Sequence, residues 1–168
     1  MFKFFVHLKM KIAFYKHTGK IEDKLIRWWT RPALASIFSC AKYSHTEIVF
    51  STGEFFSSSG RDGGTRFKEI EIKPARWDFV DIPVNADQEK QVLEFCKSQI
   101  GKKYDWRAIF FSQFLKLKRE DPGKWFCSEI CLRAIQELGF FPGEIPSEFS
   151  PQKLFDLLES KDFSVEIG

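Results

Sequence analysis

The chain is short of cysteine and histidine, has no long apolar run and carries no dominant charge. Its four cysteines, Cys40, Cys96, Cys127 and Cys131, are spaced too widely for the dense disulfide framework of a small secreted domain. Free thiols in a cytoplasm are the expectation. A membrane-spanning helix needs about 20 consecutive apolar residues, and none occurs, so no membrane span is expected. The first ten residues, MFKFFVHLKM, are interrupted by His7 and Lys9 and precede no small-residue cleavage site, unlike a secretory leader. They read as an extension over residues 1–9 ahead of Met10, a candidate alternative start. Lys plus Arg is 26 and Asp plus Glu is 23, a net charge of +3 with both signs scattered along the chain. That balance suits solubility and excludes a nucleic-acid footprint. With no internal repeat, linker or low-complexity tract, the 168 residues suit one domain over 10–168.

Aromatic residues are abundant instead. Twenty Phe, five Trp and three Tyr favour a core of large planar side chains, or an apolar substrate groove. KIAFY after Met10 reads as a strand. KIEDKLIRWWT, with Ile21, Leu25 and Trp29 four residues apart, reads as a helix stopped by Pro32. SHTEIVF, the turn STGE and EFFSSS predict a β-hairpin over residues 44–59, and RFKEIEI and RWDFVDI predict two further strands after a glycine-rich loop, SGRDGGT. The sheet should be mostly antiparallel.

Helices follow. Asn85 and Gln88 form a capping pair ahead of Val92, Cys96 and Ile100, one helical face ending at Gly101. Asp105 caps a second helix, DWRAIFFSQFLKLK. A third carries Cys127, Ile130, Cys131, Ala134, Ile135 and Leu138 on one stripe and ends at Gly139. Ser150 and Pro151 start the last helix, through Leu154, Phe155 and Leu158, and FSVEI closes the chain as a strand. Strands early and helices late make an α+β domain.

Cys127 stands where its helix begins. Unpaired amides and the helix dipole stabilise a thiolate there, and the same amides can bind a developing oxyanion. The competing reading is structural, because free cysteine is commonly buried and Cys127 lies on the apolar stripe. Cys131, one turn on, has no such activation. A nucleophilic thiol needs a base, and His45 is the histidine inside a predicted core strand, whereas His7 lies in the extension and His17 in a polar turn. Glu47, two residues on, shares its face of the strand and could orient the imidazole. If the turn centres on Thr52 and Gly53, Ser58 falls opposite Glu47 and is a rival polar partner. Glu47 ranks first.

GKKYDW, residues 101–106, and FCSEICLRAI, residues 126–135, resemble the Gly-x-x-Tyr-x-Trp and Cys-Ser elements of NlpC-like papain-fold cysteine hydrolases. With His45 ahead of Cys127, the order resembles the circularly permuted branch, which includes lecithin:retinol acyltransferase-like proteins and bacterial permuted amidases. The resemblance implies a permuted papain-like fold, Cys127 as nucleophile, His45 as general base, and Tyr104 and Ser128 as residues lining the site. It points to residues 56–59 for the third polar group, while local geometry favours Glu47. Arg107 and Ala108 stand where the family usually has glycines.

The expected function is hydrolysis of an amide, ester or thioester through an acyl-enzyme, with a small-molecule, peptide or acyl substrate and no cofactor. No metal site is expected, because the cysteines and histidines lack finger-like spacing. SGRDGGTR lacks the Gly-Lys-Ser/Thr ending of a phosphate loop and reads as a flexible loop near the site. KLKRE and KHTGK read as solvated basic faces. Two alternatives stand beside the enzyme: a non-catalytic binding module with an aromatic groove for peptide, glycan or acyl chain, and a redox sensor pairing Cys127 with Cys131.

Overall fold

The computed structural model describes residues 9–16, 42–105 and 123–167. The helix expected over 20–30, nearly all of the helix expected from Asp105, and Cys40, His7, His17, Trp106, Arg107 and Ala108 lie outside the described residues.

The described residues form an α+β arrangement in which eight strands make one sheet. They are β1 (Lys11–Lys16), β2 (Tyr43–Val49), β3 (Phe55–Ser59), β4 (Gly64–Lys68), β5 (Trp77–Asp81), β6 (Lys103–Tyr104), β7 (Lys124–Trp125) and β8 (Val165–Ile167). Their order across the sheet is β7-β6-β4-β3-β2-β1-β5-β8. Every pairing is antiparallel except the short parallel contact of β6 with β7. Three helices accompany it: α1 (Ala86–Ser98), α2 (Cys127–Gln136) and α3 (Pro151–Glu159). Among the described residues no helix is long and apolar enough to cross a membrane.

The helices start where side-chain chemistry satisfies their first amides. Asn85 and Gln88 make a reciprocal capping box on α1. Ser150 accepts from the Lys153 amide ahead of Pro151 at the start of α3. One sheet face buries Ile12, Phe14, Ile48, Phe56 and Val80 against Val92 and Cys96 of α1, Ile130, Cys131 and Ile135 of α2, and Leu154 and Leu158 of α3. A smaller cluster of Ala13, Val49, Phe55 and Trp77 is separate from it. The alternation follows from the period of two along each strand.

Several boundaries differ from expectation, among them the end of α2, at Gln136 rather than Gly139, and the start of β8, at Val165 rather than Phe163. The strand expected over 66–72 is shorter and earlier, Gly64–Lys68, because it pairs only as far as Phe55 opposite Lys68. The helix after Asn85 ends at Ser98 rather than near Gly101, its carbonyls taken up by a turn to Gln99. The glycine-rich segment is a four-residue turn between β3 and β4, closed by Ser59 opposite Gly64.

The strand β2 carries an irregularity that matters to the site. Tyr15 pairs with His45, but the next residue, Lys16, pairs with Tyr43, so Ser44 is an extra residue in the ladder. Such a bulge changes which face the side chains before it occupy. Tyr43 therefore joins the helix-facing core although its number shares the parity of His45 and Glu47.

Candidate active site

The ladder between β2 and β3 pairs Val49 with Phe55 and Ile48 with Phe56, and stops there. Past that point the Ser57 hydroxyl donates to the Thr46 carbonyl at 2.7 Å. The Thr46 amide hydrogen-bonds the sulfur of Cys127. An amide that would otherwise belong to the sheet is thus turned on the thiol at the start of α2.

The approach of α2 is fixed by the residues ahead of it. The Trp125 carbonyl accepts from the Ser58 hydroxyl at 2.7 Å and from the Asp105 amide at 3.0 Å, and its indole donates to Gln99 at 3.1 Å. Ser128 donates its hydroxyl to the Phe149 carbonyl at 2.6 Å. Phe126 occupies the N-cap and offers no side-chain acceptor, although the Glu129 carboxylate reaches back to its amide at 3.3 Å. A helix capped by serine or aspartate would spend a first-turn amide on the cap. Here the first turn keeps amides for another anion, and the Ser128 amide hydrogen-bonds the Cys127 sulfur.

His45 and Glu47 meet as the period of two predicts: Nε2 of His45 lies 3.1 Å from Oε1 of Glu47. The imidazole also hydrogen-bonds the side chain of Cys127. With Nε2 held by the carboxylate, Nδ1 is the ring nitrogen left for the sulfur. Cys127 is only 4% exposed, whereas the His45 side chain is 23% exposed and forms the open edge of the pair.

The electrostatics favour the ionised pair. Burial by itself would drive His45 towards neutrality, but the Cys127 charge, its hydrogen bond and then Glu47 outweigh it and push the imidazole up to about 10. Burial likewise opposes the Cys127 thiolate. The His45 charge and hydrogen bond, followed by the Thr46 and Ser128 amides, more than offset this and hold the thiol below the ordinary cysteine range. Burial pushes Cys96 and Cys131 the other way, well above that range. Tyr104 is also held high, by burial and then by the Cys127 charge, so its phenol keeps its proton beside the sulfur.

Glu47 is 2% exposed and would resist ionisation by burial alone, yet its hydrogen bond to His45 leads the contacts that hold its pKa low. Arg66 adds a two-pronged grip on the carboxylate, Nη1 to Oε2 and Nη2 to Oε1, each at 2.9 Å. Its Nε donates to Asp62 at 2.7 Å, and Asp62 also accepts from Lys68 at 3.2 Å. From Cys127 through His45, Glu47, Arg66 and Asp62 to Lys68, the charges alternate in sign.

The structure brings Cys127, His45, Glu47, Tyr104 and the Ser128 amide together. It places Ser58 elsewhere: the observed β2–β3 register, continued by one pair, sets Ser57 opposite Glu47, and Ser58 serves the Trp125 carbonyl. The expected turn centre at Thr52 and Gly53 was off by half a residue, since Phe50 pairs with Glu54 around Thr52, and that single-residue slip exchanges the two serines between faces. Cys131 accepts a long contact from the Thr46 hydroxyl at 3.6 Å and is a free thiol. Arg66 and Asp62 were missed. Asp62 with Arg66 four residues on was a readable charge pair, but nothing local said that Arg66 would reach β2.

Among the described residues no group of His, Cys, Asp and Glu could hold a metal ion. No family model, curated protein or solved structure matches the chain.

Proposed function

We propose that the protein is a cysteine hydrolase of the permuted papain-like kind, acting on an amide, ester or thioester. The observation that carries this reading is the hydrogen-bonded pair of His45 and Cys127 at the start of α2, with Glu47 behind the imidazole. The order of the two residues in the chain and the Gly101-to-Trp106 and Cys127-Ser128 segments support it as a resemblance.

In the proposed reaction the Cys127 thiolate attacks the carbonyl carbon, forming a C–S bond while the carbonyl electron pair moves to oxygen. Unspent amides of the first α2 turn and the protonated Tyr104 phenol are the donors for that oxyanion. Collapse breaks the bond to the leaving group, which takes its proton from the His45 imidazolium. The neutral imidazole then removes a proton from water, which attacks the thioester, and the thiolate and imidazolium are restored. Glu47 keeps the ring oriented and its charge compensated throughout. A reducing compartment such as the cytoplasm would keep the sulfur competent.

Catalysis should rise as pH passes the lowered thiol pKa and fall as pH passes about 10, where the imidazolium proton is lost. Incubation with a panel of amides, activated esters and thioesters, followed by intact-mass and peptide mapping, should find one acyl group on Cys127 that is released by hydroxylamine. A panel that leaves Cys127 unmodified while one of its members is retained reversibly would replace the hydrolase with the binding module.

A further inference from the structure

We infer that Arg66 is a positioning residue for the proposed hydrolase, acting through Glu47 to keep His45 protonated and facing Cys127. The inference rests on the reading of Cys127 and His45 as nucleophile and base, and goes beyond it by making the β3–β4 turn part of the machinery.

The geometry is specific. Arg66 lies opposite Ser57 on β3, and Ser57 lies opposite Glu47 when the β2–β3 register is continued. The three form a row across β4, β3 and β2. Two strand spacings separate the outer pair by about 10 Å, a span that a long arginine meeting a glutamate can close only over a small intervening residue. Ser57 is that residue, and its own hydroxyl is turned to the Thr46 carbonyl. The guanidinium fork then meets both carboxylate oxygens, a match lysine cannot reproduce. Its third nitrogen is tied to Asp62, which fixes the plane of the fork from the turn.

Charge explains why the fork matters. With Cys127 and Glu47 negative and His45 positive, the buried group would carry one uncompensated negative charge. Arg66 brings the sum to zero. Without it, a proton on Glu47 is what removes the uncompensated charge, because an isolated buried carboxylate is strongly disfavoured, and the imidazole then loses the carboxylate charge that helps to hold its proton. The other titratable groups facing this set are Tyr104, with Asp105 and Glu129 acting on its phenol, and Cys131 behind the sulfur. Burial holds Tyr104 and Cys131 in their protonated forms, so neither supplies the missing cation.

The test is an NMR titration of the imidazole C–H signals in the full chain, where three histidines make assignment by His45→Gln direct. The wild-type His45 midpoint is expected near 10. Arg66→Met should lower it by about one pH unit or more, and Arg66→Lys should recover only part of the loss. A merely structural arginine would lower the melting temperature and leave the midpoint where it was. An unchanged or raised midpoint in folded Arg66→Met overturns the inference while leaving the hydrolase reading intact. A wild-type midpoint near the ordinary histidine value overturns both. If Arg66→Met does not fold, Arg66→Lys carries the test: a lowered midpoint supports the role and an unchanged one overturns it.

Discussion

Replacing His45 with alanine is expected to slow alkylation of Cys127 by iodoacetamide at neutral pH by about tenfold or more, one tenfold for each unit that the thiol pKa moves back up. The size follows from the thiolate fraction. In the wild type the imidazolium, followed by the Thr46 and Ser128 amides, holds the thiol pKa below the ordinary cysteine value, so that a larger share of the sulfur is ionised at neutrality. Without the imidazolium, the two amides alone oppose burial, and the thiol moves to or above the ordinary cysteine value near 8.5, where only a few per cent or less is ionised. Two other cysteines serve as internal controls, because burial keeps both Cys96 and Cys131 protonated in either variant. Peptide mapping after a short exposure should therefore find the label on Cys127 in the wild type, and little label on any of the three in His45→Ala. Comparable labelling of all three in the wild type would contradict the account. Glu47→Gln should fall between the two, since the amide can still accept a hydrogen bond from Nε2 but brings no charge.

The second large effect concerns the frame that holds Tyr104. Gly64→Ala is expected to destabilise the fold on the order of 3 kcal/mol, from backbone strain and overpacking together. Gly64 adopts φ +151°, a region that side-chain-bearing residues rarely enter, and a Cβ there would lie 2.0 Å from the Lys102 carbonyl oxygen. The close approach has a purpose in the sheet. Gly64 pairs with Lys103, and the adjoining Thr65 hydrogen-bonds the Lys102 carbonyl through its amide and the Gln99 carbonyl through its hydroxyl. Moving the strands apart would shift β6, and with it Tyr104, away from the start of α2. Urea denaturation of the purified variant measures the loss. A midpoint unchanged from wild type would mean that the β4–β6 contact is not held as described.

Much of this arrangement was legible in the chain because it is local. The capping pair of Asn85 and Gln88 needs only a spacing of three, and Ser150 with Pro151 is a start signal complete in two residues. His45 and Glu47 share a face because side chains in a strand alternate. Cys127 could be placed at a helix start because the apolar stripe begins with it. What escaped depends on register and on pairing between distant segments. The extra residue at Ser44 has no sequence signature, yet it decides that Tyr43 faces the core while His45 does not. The hairpin turn was misplaced by half a residue, enough to exchange Ser57 and Ser58. Arg66 reads as an ordinary surface charge until β4 is laid beside β3 and the small side chain of Ser57 is seen to open a path to Glu47. The short strands β6 and β7 are two residues each and exist only through their partners.

The most direct measurement is the ultraviolet absorbance of thiolate, followed against pH as the difference between wild type and Cys127→Ala. A signal that rises with its midpoint below the ordinary cysteine value of about 8.5, and whose midpoint moves up in His45→Ala, is what a sulfur ionised by its neighbouring ring must give. A sulfur that stays dark until the solution is more alkaline than about 8.5, with or without that ring, would show that the two groups do not share a proton and that the hydrolase reading is wrong.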